Sequence, residues 1–285
     1  MFNGIKSIDH PVIAVENMSS SAKTYEKLGF TVPPRGSHVE WGTGNWCIMF
    51  ADDYLELRGI LNPERYTLNL DKVLDQYGEG LMGIAFGTDS AKNNYNEMSN
   101  NGIKPERPVQ QLTRNFELSE GWVQPKFSLC FPNDEDITGL MHVVCCQHLT
   151  PELIRKPQYL THANGVTGVI SMTGLITDTD KVERVQQHLL GKDAVKRIGN
   201  SLHISLPSKQ HIHLLSAKEY QTTYGELSRK IKKQSHLGVT SLKVDDITKI
   251  KNILSHAQIP FKSSATGNIL VGAEYTCGVV LEFIE

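Results

Sequence analysis

The sequence predicts an α+β protein made of four βαβββ modules in two domains. The first observation behind this prediction is that one order of elements, a strand, a helix and then further strands, occurs four times along the 285 residues. The period of about 70 to 90 residues is too long for a solenoid repeat and suits a duplicated α+β module. In addition, the helical segments follow residues typical of helix N-caps, and the strands are short β-branched or apolar runs.

The first module spans residues 5–60 and opens with a strand over residues 8–15, whose apolar residues occupy both faces. Asn17 and the serines after it supply N-cap chemistry for a helix that Gly29 ends. Three further strands are predicted, over residues 30–32, 46–50 and 54–58.

The second module, residues 80–148, repeats this order. Its first strand covers residues 81–88, and Asp89 and Ser90 are placed to cap a helix that ends near Gly102. Two later strands are predicted, over residues 126–131 and 140–146.

The third and fourth modules cover residues 166–216 and 236–285. Aspartates precede both of their helices, at positions 178–180 and 245–246, where carboxylates cap well. The strands predicted for these two modules cover residues 168–172, 202–206, 211–215, 238–242 and 278–283.

The two halves meet in a stretch of little periodicity, residues 150–164, which carries Pro151 and Pro157. We therefore expect two domains, residues 1–150 and residues 151–285.

A basic stretch lies within residues 217–235 of the second domain. Its cations are Lys218, Arg229, Lys230, Lys232 and Lys233. Such a run is typical of a solvated helix face, and an anion-binding patch is the alternative.

Charge and hydropathy exclude several classes of protein. Lys and Arg number 29 and Asp and Glu 31, giving a net charge of −2, so we expect no nucleic-acid partner. A hydrophobic share of 39% with 21% charged residues is ordinary for a soluble globular protein. Because no apolar run reaches about 18 residues and the N-terminus lacks the apolar core of a secretory signal, we expect a cytoplasmic protein without a membrane span.

The cysteines do not form a metal-binding motif. They stand at Cys47, Cys130, Cys145, Cys146 and Cys277, without CxxC spacing. We expect reduced thiols and no cysteine-rich zinc site.

Four βαβββ modules resemble the vicinal oxygen chelate superfamily, which includes glyoxalase I, the extradiol dioxygenases and the fosfomycin and bleomycin resistance proteins. The opening segments IDHPVIAVENM and YEKLGFTV are similar to the start of that superfamily. A closer resemblance is to the glyoxalase-like domain family, carried by residues 41–50, 54–57, 146–153 and 162–165. It implies two vicinal-oxygen-chelate-like domains with curved mixed sheets, in which paired modules enclose a cup.

The resemblance also implies a divalent metal inside the cup, bound by residues of the first and last strands of the modules. His10 stands on the first strand of module one and Glu56 on its last strand, where Glu56 shares a face with Tyr54 and Arg58. Taken singly, a core histidine and a surface glutamate are the alternatives. Together the two residues are expected to bind Zn, Ni, Mn or Fe(II), since imidazole and carboxylate suit these ions.

The other half of the metal site departs from the superfamily pattern. The first strands of modules two, three and four carry no His, Gln or Glu where a ligand is expected, and Met82, Ser171 and Val239 lie within a residue or two of that place. The resemblance favours His148 as the third ligand, with His142 as the runner-up. A structural role for His148 at the end of its strand is the alternative.

The second domain is expected to bind no metal. Glu282 on its last strand has no histidine partner on the first strand of the same module. His211 and His213 alternate with Ile212, a spacing that could bind a metal but is more typical of a half-exposed strand.

Five residues of the first module are expected to contact a substrate. They are Trp41, Asn45, Trp46, Tyr54 and Arg58, with core packing as the alternative for at least one of the three aromatic residues. The glycine-rich segment before Asn45 joins two strands without a following helix, so we expect it at the rim of the cup and not around a phosphate.

Together these residues predict a metal-dependent lyase, isomerase or dioxygenase. Its partner would be a small molecule with two neighbouring oxygens, which a metal with open positions could chelate as a Lewis acid. Glu56 is the candidate catalytic residue, acting as a general base if it leaves the metal. Whether the chain forms a homodimer is left open.

Three alternatives to this function remain. The cup could sequester a small molecule without a metal, as bleomycin-resistance proteins do, or the chain could be a catalytically silent scaffold. It could also be a glutathione-hemithioacetal lyase, which would need cations at the mouth of the cup, with Arg35, Arg58 and Arg114 as candidates.

Overall fold

A computed structural model describes residues 4–118, 121–133, 142–228 and 235–285. The helices in this part of the chain are α1 (Met18–Lys27), α2 (Leu70–Tyr77), α3 (Ala91–Asn100), α4 (Thr179–Leu190), α5 (Ala217–Tyr224) and α6 (Ile247–His256). The strands of the first half are β1 (Ile5–Ala14), β2 (Gly36–His38), β3 (Thr43–Met49), β4 (Tyr54–Ile60), β5 (Gly80–Thr88), β6 (Gln110–Leu118), β7 (Gly121–Val123), β8 (Lys126–Cys130) and β9 (Val143–His148). Those of the second half are β10 (Val166–Ile176), β11 (Val195–Ile198), β12 (Ser201–Ser205), β13 (His211–Ser216), β14 (His236–Val244), β15 (Phe261–Ser263), β16 (Ile269–Val271) and β17 (Val280–Ile284).

The strands of the first half form one curved mixed sheet in the order β2-β3-β4-β1-β5-β9-β8-β6-β7. An additional antiparallel pairing joins β2 to β6, with Gly36 opposite Phe116 and His38 opposite Arg114. Because this pairing connects the two ends of the sheet, the strands close into a barrel-like ring. The ring encloses an interior that the two modules share.

The strands of the second half form an open mixed sheet in the order β11-β12-β13-β10-β14-β17-β16-β15. In both sheets, the first strand of each module pairs in parallel with its last strand and antiparallel with the first strand of the neighbouring module. This is the predicted α+β architecture of paired βαβββ modules with curved mixed sheets. In the described residues, no helix is both long and apolar enough to cross a bilayer.

Helix capping follows the prediction in all four modules. The side chains of Asn17, Ser90, Asp178 and Asp246 accept hydrogen bonds from backbone N–H groups in the first turns of α1, α3, α4 and α6. These caps satisfy donors that a helix N-terminus leaves open. Asn17 and Ser90 therefore mark equivalent places in the first two modules.

The largest apolar core lies between the two sheets. It takes Ile13 and Leu57 from the first sheet and Met172 and Leu242 from the second, all 0% exposed. Burial of this apolar surface is the main favourable term that holds the halves together.

A polar contact crosses the same interface. The Gln210 Nε2 atom donates to the Ile8 carbonyl at 3.2 Å, the Val169 carbonyl at 3.1 Å and the Asp53 carboxylate at 3.0 Å. The other Asp53 oxygen accepts from the Val169 N–H at 3.0 Å. The two sheets are therefore joined by directional bonds as well as by apolar packing.

The structure corrects several predicted elements. Residues 30–32 form no strand, because the Thr31 N–H bonds to the His162 Nδ1 atom at 3.0 Å and Phe30 packs into the core. The prediction also lacked α2 and β6. The strand predicted over residues 140–146 begins at Val143, and residues 140 and 141 lie outside the described part.

Two organisational predictions stay predictions. The domain division between residues 150 and 151 is one of them. The other is the solvated basic face, because α5 contains Lys218 but the remaining four cations lie outside the described residues.

Candidate functional site

The candidate site is a cavity inside the ring of the first sheet. It has an empty volume of about 520 Å³, part of it open to solvent. One wall is polar and includes His10, Asn45, Glu56, Arg58 and Arg114. The rest is largely apolar and includes Leu112, Phe127, Leu129, Phe131, Val144 and Ile154.

An irregularity in β1 brings two adjacent polar residues into the site. The pairing of β1 with β5 shifts register between Ile8 and His10, and both Asp9 and His10 are buried. Ile8 packs in the core between the sheets, so it does not share the cavity face with His10 as strict alternation along a strand would require. A bulge of this kind re-aims side chains and is common next to functional sites.

Strand β4 supplies three more residues of the polar wall by regular alternation. Tyr54, Glu56 and Arg58 line the cavity, while Leu55 and Leu57 face the core between the sheets. This is the predicted division of the strand. The Tyr54 ring stacks on the His10 imidazole, with ring centroids 4.2 Å apart.

The Glu56 carboxylate is held by four neighbouring donor atoms. Arg58 contacts both oxygens, at 2.6 Å from Nη2 and 3.1 Å from Nε, and the Asn45 amide donates to Oε1 at 2.7 Å. The His10 Nε2 atom lies 3.3 Å from Oε2. Burial by itself raises the pKa of Glu56, but the Arg58 charge and the His10 hydrogen bond outweigh it and hold that pKa well below its usual range.

The Asp9 carboxylate links two histidines. Its Oδ2 atom lies 2.7 Å from the His10 Nδ1 atom and 3.0 Å from the His148 Nε2 atom. Burial raises the pKa of Asp9, but His148 and His10 lower it more, so the carboxyl is ionised. These bonds leave His10 Nε2 facing Glu56, and the buried His148 Nδ1 has no hydrogen-bond partner among the described residues.

The donor set of the site fits a divalent metal at a different triple from the predicted one. Among the described residues, ligand atoms of Asp9, Cys146 and His148 lie within 4.8 Å of one another. Carboxylate, thiolate and imidazole are suitable ligands for Zn and its neighbours. Burial raises the pKa of the Cys146 thiol well above its usual range, and a bound cation lowers a thiol pKa again.

The predicted ligands are only partly brought together. His10 and Glu56 are adjacent, whereas His148 contacts Asp9 on the other side of the His10 ring. The assignment of His10, Glu56 and His148 as ligands stays a prediction.

The internal repeat adds no ligands to the His10–Glu56 pair. The helix N-caps Asn17 and Ser90 are equivalent residues of the two modules. Because Gly83 precedes Ser90 by as many positions as His10 precedes Asn17, Gly83 is the equivalent of His10. By the pairing of β5 with β9, Val144 then corresponds to Glu56. Neither glycine nor valine offers a ligand side chain.

A further part of the polar wall comes from β2, β3 and β6. The His38 Nδ1 atom lies 2.7 Å from the Thr43 hydroxyl, and the Asn45 amide lies 3.2 Å from His38 Nε2. The Arg114 Nε atom donates to the Asn45 Oδ1 atom at 2.7 Å. Burial and the Arg58 charge lower the pKa of His38 to about 3, so this imidazole is neutral.

Several sequence-predicted residues lie elsewhere. Trp46 does not line the cavity, because alternation along β3 turns it towards the core and its Nε1 atom donates to the Met18 carbonyl at 2.8 Å. His142 precedes β9 and lines a separate small cavity with Met82. Arg35, a candidate cation for the mouth of the cup, is exposed. The predicted substrate contacts Trp41, Asn45, Tyr54 and Arg58 all line the site.

In the second half, Glu282 and His213 bond to neighbouring polar side chains. Glu282 accepts from Ser241 at 2.9 Å and from Asn268 at 2.8 Å. The His213 Nδ1 atom lies 3.0 Å from the His203 Nδ1 atom, and the His211 ring stacks on His213.

Comparison with known proteins identifies the family to which this chain belongs. Paired βαβββ modules around a polar cavity define a protein of the vicinal oxygen chelate class. The chain belongs to the glyoxalase-like domain family, whose model matches residues 8–190. No curated protein matches the chain.

Solved structures share the fold across nearly the whole chain. A hypothetical protein from Staphylococcus aureus is 13% identical, with a TM-score of 0.68 over 97% of this chain and 98% of that one. A mutant of 4-hydroxymandelate synthase from Streptomyces coelicolor is 9% identical, with a TM-score of 0.63 over 98% and 92%. At these identities the likeness shows the fold alone. The cytoplasmic location stays a prediction, and whether the chain forms a homodimer stays open.

Proposed function

We propose that the chain is a divalent-metal-dependent lyase or isomerase that acts on a small molecule with neighbouring oxygens inside the ring of the first sheet. The observation that carries the proposal is the cluster of Asp9, His10, Glu56 and His148, in which His10 and Glu56 line this cavity and Asp9 bonds to His10 and to the half-buried His148. Buried carboxylates and imidazoles are costly unless paired, and a cluster of them with shifted pKa values at a cavity is typical of a functional site.

Asp9, Cys146 and His148 would hold the metal, because their ligand atoms already lie within 4.8 Å of one another. The bound ion would act as a Lewis acid that polarises a substrate oxygen. Glu56 is the less favourable ligand, since the guanidinium of Arg58, 2.6 Å away, competes with any cation for its oxygens.

The chain's own contribution to the reaction is proton transfer at His10. Asp9 fixes the ring through Nδ1, and Nε2 faces the cavity beside Glu56 Oε2, at 3.3 Å. A proton held between these two atoms can pass to or from a substrate carbon or oxygen. The Tyr54 ring stacks on the imidazole and holds its orientation, and most of the remaining cavity wall is apolar.

A metal-free binding protein is the second candidate. It is favoured by two observations: the Glu56 oxygens are already occupied by Arg58 and Asn45, and the second module offers Gly83 and Val144 in place of ligands. In that case the polar wall would recognise a ligand without transforming it.

Metal content by elemental mass spectrometry tests the proposal. The proteins to compare are the wild type, His148→Ala, Cys146→Ala, Glu56→Gln and, as a matched control, Cys145→Ala, each reconstituted with Zn, Ni, Mn or Fe(II). Cys145 is buried in the core next to Cys146 but outside the cavity. We expect about one ion per chain in the wild type, the control and Glu56→Gln.

The same ion should be lost from His148→Ala and Cys146→Ala. Loss from Glu56→Gln with retention in Cys146→Ala would instead establish the predicted His10, Glu56 and His148 set. A wild type that binds no metal would favour the binding protein.

A further inference from the structure

The Arg114 side chain is held in a fixed position in the cavity wall. It is 4% exposed, its guanidinium lies over the Phe116 ring at 4.6 Å, and its Nε atom donates to Asn45. Gly36 on the neighbouring strand β2 leaves room for the guanidinium, because a Cβ atom at this position would lie 2.1 Å from Arg114 Nε. Packing, hydrogen bonding and a glycine thus hold this cation at the cavity.

Among the residues that the structure describes, Arg114 forms no ion pair with a carboxylate. Asp9 is paired with His10 and Glu56 with Arg58, whereas the Arg114 side chain bonds, within the described part of the chain, to the neutral amide of Asn45. Its Nη2 atom is buried and has no partner among the described residues. An unpaired buried guanidinium is expensive, and a ligand that supplies the counter-charge removes that cost.

A second unpartnered donor lines the same cavity. The Trp41 Nε1 atom is buried without a hydrogen-bond partner among the described residues, and Trp41 is 2% exposed. Trp41 packs edge-on against His38, which contacts the Asn45 amide that holds Arg114. Two free donors therefore belong to one connected wall.

We propose that the cavity binds a small carboxylate with an apolar body, whose carboxylate is recognised by Arg114 and Trp41. The apolar body would contact Leu112, Phe127 and Leu129. The proposal rests on the cavity of the proposed function but needs neither a bound metal nor turnover. The competing explanation is that Arg114 only positions Asn45 beside Glu56.

Isothermal titration calorimetry tests this with 3-phenylpropanoate and its neutral amide as probes. The wild type, Arg114→Met and Arg114→Lys are titrated after chelator treatment, and again after reconstitution with metal. Arg35→Met is the matched control, because Arg35 is exposed and lies outside the cavity. Physiological salt suppresses binding to surface cations.

We expect the wild type and Arg35→Met to bind the carboxylate at least about 10-fold more tightly than the amide, since hydrogen bonds to charged groups are the stronger kind. Arg114→Met should abolish this preference, and Arg114→Lys should keep part of it. Equal binding of both probes by the wild type, no binding of the carboxylate, or an unchanged preference in Arg114→Met would overturn the proposal.

Thermal unfolding separates the carboxylate site from the structural explanation. Without ligand, Arg114→Met should unfold at the same or a higher temperature than the wild type, because it removes an unpaired buried charge. A purely structural Arg114 predicts a lower temperature and an unchanged ratio between the probes. Carboxylate preference in a wild type that takes up no metal on reconstitution would uphold this site while contradicting the metal-dependent function.

Discussion

Raising the pH is expected to weaken the contact between the two sheets through Asp53. This carboxyl is 6% exposed and lies at the interface, where it accepts from the Val169 N–H and the Gln210 amide. Burial raises its pKa from 3.8 to about 7, although the Val169 hydrogen bond acts in the opposite direction. The folded protein therefore prefers the neutral carboxyl.

The sign and size of the effect follow from linkage. A group whose pKa is raised by folding contributes stability that is full below its unfolded pKa and is lost as the pH rises through its folded pKa. Between pH 5 and pH 8.5 this amounts to a loss of about 3 kcal/mol in the free energy of unfolding, taking about 1.4 kcal/mol for each pKa unit.

Urea unfolding of the wild type and Asp53→Asn across this pH range measures the loss. The wild type should lose about 3 kcal/mol more than Asp53→Asn, whose amide does not titrate. Asp52→Asn, at the exposed neighbouring position, should follow the wild type. Parallel pH profiles for the wild type and Asp53→Asn would refute the reasoning.

Two further predictions concern the cavity. Arg58→Met should lower the free energy of unfolding, measured in urea, by about 3–5 kcal/mol, because Glu56 is then buried without its partner. The double variant Arg58→Met/Glu56→Gln should recover most of this loss. Equal stability of the single and double variants would contradict the pairing. Gly36→Ala should lower the free energy of unfolding by about 1–3 kcal/mol and weaken carboxylate binding, because the added Cβ atom would displace Arg114. An unchanged affinity for the carboxylate would show that the two residues do not share this space.

Much of the fold could be predicted because its signals are local. The capping residues Asn17, Ser90, Asp178 and Asp246 and the short apolar strands lie next to the elements they define. Residues 30–32 were misassigned because contacts from His162, distant in sequence, hold this segment. The pairing of β2 with β6 joins residues more than 70 positions apart, so no local pattern could reveal the closed ring.

The site could be predicted where alternation is regular. Tyr54, Glu56 and Arg58 follow the period of two along β4, and all three line the cavity. Asp9 was missed because the bulge in β1 breaks that period, although its position beside His10 was the available signal. Arg114 had been considered only at the mouth, and its burial depends on the ring closure and on the space left by Gly36.

X-ray absorption spectroscopy of the metal-loaded protein tests the central claim most directly, because it reports the ligand atoms around the ion. A site made of Asp9, Cys146 and His148 predicts one sulfur neighbour at about 2.3 Å for zinc, together with nitrogen and oxygen neighbours at about 2.0–2.2 Å. Cys146→Ala should remove the sulfur signal. A shell of nitrogen and oxygen alone in the wild type would contradict this ligand set and point to His10, Glu56 and His148.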